Sequence, residues 1–381
     1  MHLVIEASNI RKGGGLTHLQ EVLHAVDLDH FGIDKITIWG PRRTLDQIGE
    51  SKGIVLRTHP WIEKGGGWSY WFRKKLLDRQ LDSSVDLLWA PGGTYTGRFQ
   101  PYVTMVQNFL PFDKIERGRY RYSSAWLRFL LLEKLQLRSF KHANGLIHIS
   151  KKCDEVINTL VDLTHVKQTL IYHGINERFF HEPRPQREFN SFTADDPARL
   201  LYVSTIDLYK HQDKLLRAAA TLRVKIPVRL DLVGSAYPPA LRNLERLADS
   251  HDPQRKWIHW HGEASYRDVE KFYQNADLYA CLSSCETFGM ILLEAMASGL
   301  PILCSNRSAL PEIHAGTCCS VDPENVESIS KELAVLLQSR ESRAFYANRA
   351  YQRAHDFSWT KCAYETFSFL RDVYESSSKN S

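Results

Sequence analysis

The 381-residue sequence has no run of apolar residues long enough to span a bilayer, so no integral membrane helix is expected. It has no disulfide framework either. Its seven cysteines (Cys153, Cys281, Cys285, Cys304, Cys318, Cys319 and Cys362) are odd in number and irregularly spaced, which fits reduced thiols. Cys281 and Cys285 lie four apart, but no Cys/His pair follows at zinc-like distance, so no metal is expected. A dominant charge is also missing. Lys and Arg number 49 against 44 Asp and Glu, a net +5, and no nucleic-acid partner is inferred from so mild an excess. The dinucleotide fingerprint G-x-G-x-x-G is absent. The glycine turn GGGLTHLQEVL (13–23) has another spacing, and the strand IWGP (38–41) ends without an acid for a ribose. The opening MHLVIEAS carries Glu6 and lacks a basic start and a cleavage site, so it does not read as a signal peptide, and a cytoplasmic location is expected.

What is present is an ordinary globular composition, 43% hydrophobic and 24% charged, in a chain too long for one typical domain. Short apolar runs such as LVIEA (3–7), KITIW (35–39), VDLLWA (85–90), YVTMVQ (102–107) and GLIHIS (145–150) alternate with helical patterns. The segment FFHEPRPQREFNSFTADDPA (179–198), with three prolines and many charges, interrupts this alternation. It then resumes with RLLYVS (199–204), VRLDLVG (228–234), KWIHWHG (256–262), ADLYACL (276–282) and LPILCS (300–305), with helices between, including one expected over 266–275. The pattern predicts an α/β protein of two Rossmann-like, doubly wound domains, with ligands at the carboxyl ends of the strands and in a cleft between the domains.

The strongest chemical signal is SSCETFGMILLEAMASGLP (283–301), a turn that leaves a strand and enters a helix near Gly289. The first amides of a helix lack internal partners and carry partial positive charge. Those of Phe288, Gly289 and Met290 are therefore placed to hold an anion, with a diphosphate as the natural guest. Glu286 precedes the helix and can face a ligand. Glu294, eight residues on, interrupts the apolar Ile291, Leu292, Leu293 and Met296. A carboxylate there can accept two hydrogen bonds from a vicinal diol such as a ribose.

ETFGMILLEAMASGLP resembles the signature of the family 4 retaining glycosyltransferases of the GT-B fold. The resemblance implies that Glu286 contacts the donor sugar and Glu294 the donor ribose, and that the backbone of Phe288, Gly289 and Met290 holds the diphosphate. YVSTIDLYKHQDKLLRAA (202–219) resembles the first strand, turn and helix of the donor domain. This places Ser204, Thr205 and Lys210 at the donor, with Lys210 on the diphosphate; Thr205 stands where the family often has an arginine. LIYHGINERFF (170–180) resembles the end of the first domain, which puts His173 near the donor. Gly14 and Gly15 match a glycine loop used against diphosphate and acceptor. Where many members carry a His-Asp pair, this chain has Gln107 and Asn108, which cannot take a proton and would orient an acceptor hydroxyl. His18 and His24 are weaker candidates for a base. The implied domains are an acceptor-binding 1–172, joined by a C-terminal helix 358–376 crossing back to it, and a donor-binding 173–357.

The implied activity is retaining, metal-independent transfer of a hexose-type sugar from a GDP- or UDP-linked donor to a glycan or lipid-linked acceptor, as in bacterial surface polysaccharide synthesis. The nucleotide-sugar is a co-substrate, and no cofactor is expected. Competing possibilities are a nucleotide-sugar epimerase or hydrolase on the same fold, and a degenerate, non-catalytic scaffold. Between Lys114 and Lys141, eight basic residues face two acids, Glu116 and Glu133. Within it, 117–141 interleaves cations with aromatic and leucine side chains. Such a segment fits either peripheral contact with the inner face of the cytoplasmic membrane or a packed helix with basic ends.

Overall fold

The computed structural model describes residues 1–265 and 268–379. The chain forms two compact units, Met1–Gly174 with Ser358–Ser381, and Ile175–Phe357.

The first unit is built on a seven-stranded parallel sheet: β1 (His2–Glu6), β2 (Lys35–Trp39), β3 (Ile54–Arg57), β4 (Leu87–Ala90), β5 (Tyr102–Met105), β6 (Gly145–His148) and β7 (Lys167–Leu170), in the order β3-β2-β1-β4-β5-β6-β7. Its central strands are largely apolar because helices cover both faces; Leu3, Val4, Ile5, Leu87, Leu88 and Trp89 are almost fully buried. The helix Gly14–Ala25 follows β1 and buries Leu16, Leu19, Val22 and Leu23. The C-terminal helix Trp359–Ser378 packs on it, seating Phe367, Phe369, Leu370 and Val373. That helix therefore belongs with the first unit although it follows the second in sequence. His173 and Gly174 also fall in the first unit.

The second unit has a six-stranded parallel sheet: β8 (Ala198–Val203), β9 (Val228–Val233), β10 (Ile258–Trp260), β11 (Leu278–Cys281), β12 (Ile302–Ser305) and β13 (Cys319–Val321), ordered β10-β9-β8-β11-β12-β13. The order reverses between β8 and β11, which pair through Leu278–Leu200 and Tyr279–Leu201. At such a reversal the connections leave in opposite directions and open a crevice at the carboxyl ends of the two strands. Of the helix expected over 266–275, Val269–Asn275 is observed, and residues 266 and 267 lie outside the described residues. The helix Arg340–Ala354, which the apolar periodicity did not mark, packs against the helix Met290–Ala297. Among the described residues, no helix is long and apolar enough to cross a membrane.

Candidate functional site

The turn after β8 and the turn after β11 meet because their strands are neighbours in the sheet. Ser284, on the β11 turn, donates its amide to Tyr209 O (2.9 Å). Its hydroxyl pairs with His211 Nε2 (2.9 Å). His211 adopts a left-handed backbone (φ 55°) ahead of the helix Gln212–Arg223. Lys210, between Tyr209 and His211, has its carbonyl held by the buried Tyr202 hydroxyl (2.9 Å). Its ammonium makes a direct ion pair with Glu286 Oε1. Burial alone would lower the Lys210 pKa, but Glu286 outweighs it and holds it above the ordinary lysine value.

Glu286 is fixed by its main chain. Its amide donates to Ser308 Oγ (2.9 Å), and Ser308 Oγ donates back to Glu286 O (2.7 Å). Two residues on, Phe288 is buried and meets Phe357 edge-on. Gly289 caps the helix Met290–Ala297 with φ 104°, and a Cβ there would stand 2.7 Å from Leu310 Cδ2. A side chain is disfavoured at this position on both counts. The first hydrogen bond of the helix is Leu292 N to Gly289 O (3.0 Å), so the amides of Met290 and Ile291 precede the internal ladder and face outward from its start. One end of this crevice thus offers an ammonium, a carboxylate and helix-start amides, a set suited to an anionic group bearing hydroxyls.

Glu294 lies further along the same helix. Leu292, Leu293, Ala295, Met296 and Ala297 are buried around it. Its Oε2 accepts from Tyr273 OH (2.8 Å). Desolvation pushes its carboxyl up to about 7, against the opposing pull of the Tyr273 hydrogen bond and the Arg178 charge. Ser204 and Thr205 line the β8 turn. Ser204 is buried, its amide on Val233 O (2.8 Å), while Thr205 is exposed with its hydroxyl 3.2 Å from Ser235 Oγ. Sequence reasoning had no signal for Tyr273, Ser284 or Ser308, because each acts by reaching a partner more than twenty residues away, nor for Tyr202, whose contact with the Lys210 carbonyl depends on how the β8 turn folds back.

The other expected residues fall in the first unit. Gln107 extends from the end of β5 toward the glycine turn: a Cβ on Gly15 would lie 2.6 Å from Gln107 Oε1, so the two residues are in close approach as they stand. Gln107 Nε2 is 3.4 Å from His18 Nδ1. Gly14 opens the helix on its exposed side. Asn108 does not share this contact; its side chain accepts from Leu110 N (3.3 Å) and caps its own turn. His173 stacks on His18 (ring centroids 4.6 Å) and Trp359 (5.6 Å) inside this unit. Burial drives both imidazoles down, His18 to about 3, so both are neutral and neither is a ready base. The sequence expectation began the second domain at residue 173; the second unit begins at Ile175, so His173 falls in the first. Metal-ligating atoms of His18, His173 and Cys362 lie within 4.8 Å of one another, all buried.

Residues 184–353 match the family model described as "Glycosyl transferases group 1". The O-antigen chain mannosyltransferase B of Escherichia coli is 30% identical over 166 residues, 44% of each chain. The MMP alpha-(1->4)-mannosyltransferase of Mycolicibacterium hassiacum is 28% identical over 66% of this chain and 57% of its own. The chain spans about half the length of these curated relatives. Two solved structures share the fold: the sucrose-phosphate synthase of Thermosynechococcus elongatus (TM-score 0.74, 17% identity, 99% and 100% coverage) and WaaG, a glycosyltransferase involved in lipopolysaccharide biosynthesis (0.71, 16%, 97% and 99%). The group 1 match lies over the unit that joins Lys210 to Glu286, and the likeness of fold to these glycosyltransferase structures, two Rossmann-like units on parallel sheets, extends over the whole chain.

Proposed function

We propose that the protein is a retaining hexosyltransferase that moves a sugar from a nucleoside diphosphate donor to a glycan or lipid-linked acceptor. The observation that carries this is the Lys210–Glu286 pair beside the helix start at Gly289. The demanding step is departure of a diphosphate from an oxocarbenium-like sugar, and charge stabilisation of that leaving group dominates catalysis. Lys210 and the amides of Phe288, Gly289 and Met290 receive the diphosphate, with Ser204 and Thr205 on the same turn. Glu286 holds the sugar, and Glu294 accepts the ribose diol. No metal is needed in this scheme, since the ammonium and the helix start supply the positive potential. Gln107, beside Gly14 and Gly15, orients the acceptor hydroxyl without taking its proton, and the departing phosphate oxygen accepts that proton. Asn108 shapes this turn.

Relatives named as mannosyltransferases favour a hexose donor and a bacterial surface glycan as the product class. A thermal-shift screen of UDP, GDP, ADP and their sugars tests the assignment. Stabilisation by one diphosphate, with slow hydrolysis of its sugar, is expected. Absence of any nucleotide binding overturns it in favour of a scaffold. Conversion of the donor to an epimer would identify the alternative enzyme class.

A membrane location has its own support. On the helix Ser124–Lys141, the exposed side chains Leu127, Arg128, Leu131, Lys134, Arg138 and Lys141 recur at helical spacing and form one stripe. Both acids of the region are already engaged, Glu116 with Arg119 and Glu133 with Arg117. A cationic stripe with leucines suits the anionic inner leaflet of the cytoplasmic membrane. Sedimentation with anionic vesicles at low salt, and release by added salt, is expected. Equal recovery with neutral vesicles removes this location.

A further inference from the structure

The ribose role of Glu294 raises a question of geometry. A carboxylate on a buried helix can accept a diol only if one oxygen is presented and the group stays ionised. Oε2 is taken by the Tyr273 hydroxyl at 2.8 Å, and among the described residues Oε1 has no hydrogen-bond partner. Tyr273 comes from the helix Val269–Asn275, which packs near β8. Its ring is fully buried, wedged between Tyr279 (centroids 5.6 Å) and Phe179 (6.0 Å). The hydroxyl is therefore aimed by packing and has little rotational freedom.

Resting on the ribose assignment, we propose that Tyr273 is the positioning residue of the nucleoside site: its hydroxyl pins one oxygen of Glu294 and presents the other to the vicinal diol. Tyr273 itself touches no substrate. The titratable and charged groups facing Glu294 are Arg178 from the turn Glu177–Phe179, Tyr273, and Tyr279 from β11. Arg178 and Tyr273 both favour the carboxylate, against the burial that opposes it. Loss of the hydroxyl would then both loosen the carboxylate and shift its ionisation to higher pH. Oxygen placement and charge are served by one contact.

The test compares a nucleoside diphosphate with its 2′,3′-dideoxy analogue, using GDP or UDP, whichever binds more tightly. The readout is the ratio of their dissociation constants, followed by calorimetry from pH 6 to pH 9. In the wild type the diol preference should weaken as the pH falls through the neutral range. Glu294→Ala should bring the ratio to near one at every pH. Tyr273→Phe keeps the ring and its packing. It should lower the ratio roughly tenfold at pH 7, leave dideoxy affinity unchanged, and move the pH midpoint upward, with only partial recovery at pH 9. If Glu294→Ala preserves the ratio, the ribose assignment itself falls. If Glu294→Ala abolishes the ratio but Tyr273→Phe leaves ratio and midpoint as in the wild type, or weakens both nucleotides equally, Tyr273 is only a space-filling core residue. Should Tyr273→Phe fold poorly, the wild-type profile still decides: a diol preference constant across this pH range contradicts the proposal.

Discussion

Ser308 Oγ grips both main-chain atoms of Glu286, accepting from its amide at 2.9 Å and donating to its carbonyl at 2.7 Å. Ser308 itself sits at φ 60°, a left-handed conformation that a serine adopts at a cost of order 1 kcal/mol or more. This hydroxyl holds the Glu286 main chain, while the carboxylate pairs with Lys210. Ser308→Ala should therefore lower kcat by roughly tenfold through misplacement of Glu286, while nucleotide affinity, measured by calorimetry, changes little. Equal losses in affinity and turnover would assign Ser308 to general folding.

Lys210→Ala removes the ammonium from the leaving-group side. A lost charge-assisted contact costs about 1.5–3 kcal/mol, so turnover should fall by about one to two decades. The circular dichroism spectrum should be retained, because the main chain of Lys210 is held independently by Tyr202. Near wild-type turnover would refute the assignment.

Gly289→Ala forces a side chain onto φ 104° and against Leu310. The expected destabilisation is of order 1–3 kcal/mol, read as a lowered thermal midpoint. Weakened diphosphate binding should accompany it, because the helix start must move to admit the methyl group. An unchanged midpoint together with unchanged affinity would contradict this.

Acid should weaken the fold through the neutral imidazoles of His18 and His173. Their folded-state values lie below the ordinary 6.5, His18 at about 3. The unfolded chain therefore binds protons that the folded one refuses. Stability is complete above about pH 6.5 and declines as the pH falls from there toward the folded value, by up to about 1.4 kcal/mol per pH unit for each ring. Glu294, raised to about 7, acts in the opposite sense, gaining stability on acidification. The informative quantity is thus the difference between wild type and His18→Asn. Denaturant titrations at pH 7.5 and 5.5 should show a smaller acid loss in the variant, and an equal loss would contradict the buried-imidazole account.

The alternation of short apolar strands with amphipathic helices was legible because parallel strands buried on both faces must be apolar, and helices covering them must be apolar on one side. The turn SSCETFGM was legible for a similar local reason: a glycine, a helix start and two acids lie within a dozen residues. The helix Arg340–Ala354 was not, since its seven basic and aromatic side chains among fifteen residues mask a narrow buried face of Ala347, Ala350 and Ala354. The end of the first unit was not legible to the residue, since a boundary within a continuous stretch is set by packing; it falls after Gly174, and His173 stacks on His18 and Trp359 of the first unit.

The sequence by itself determined the two-sheet architecture and the helix start near Gly289 with Glu286 and Glu294 beside it, because those depend on periodicity and on groups close together in the chain; Lys210 was singled out by the family resemblance of 202–219. Only the tertiary structure decided that Lys210 reaches Glu286, that Ser308 holds Glu286 and that Tyr273 holds Glu294. Each of these contacts joins segments brought side by side by sheet order and helix packing, and the order of strands in a sheet is set by packing free energy summed over the unit, which no local stretch of residues encodes.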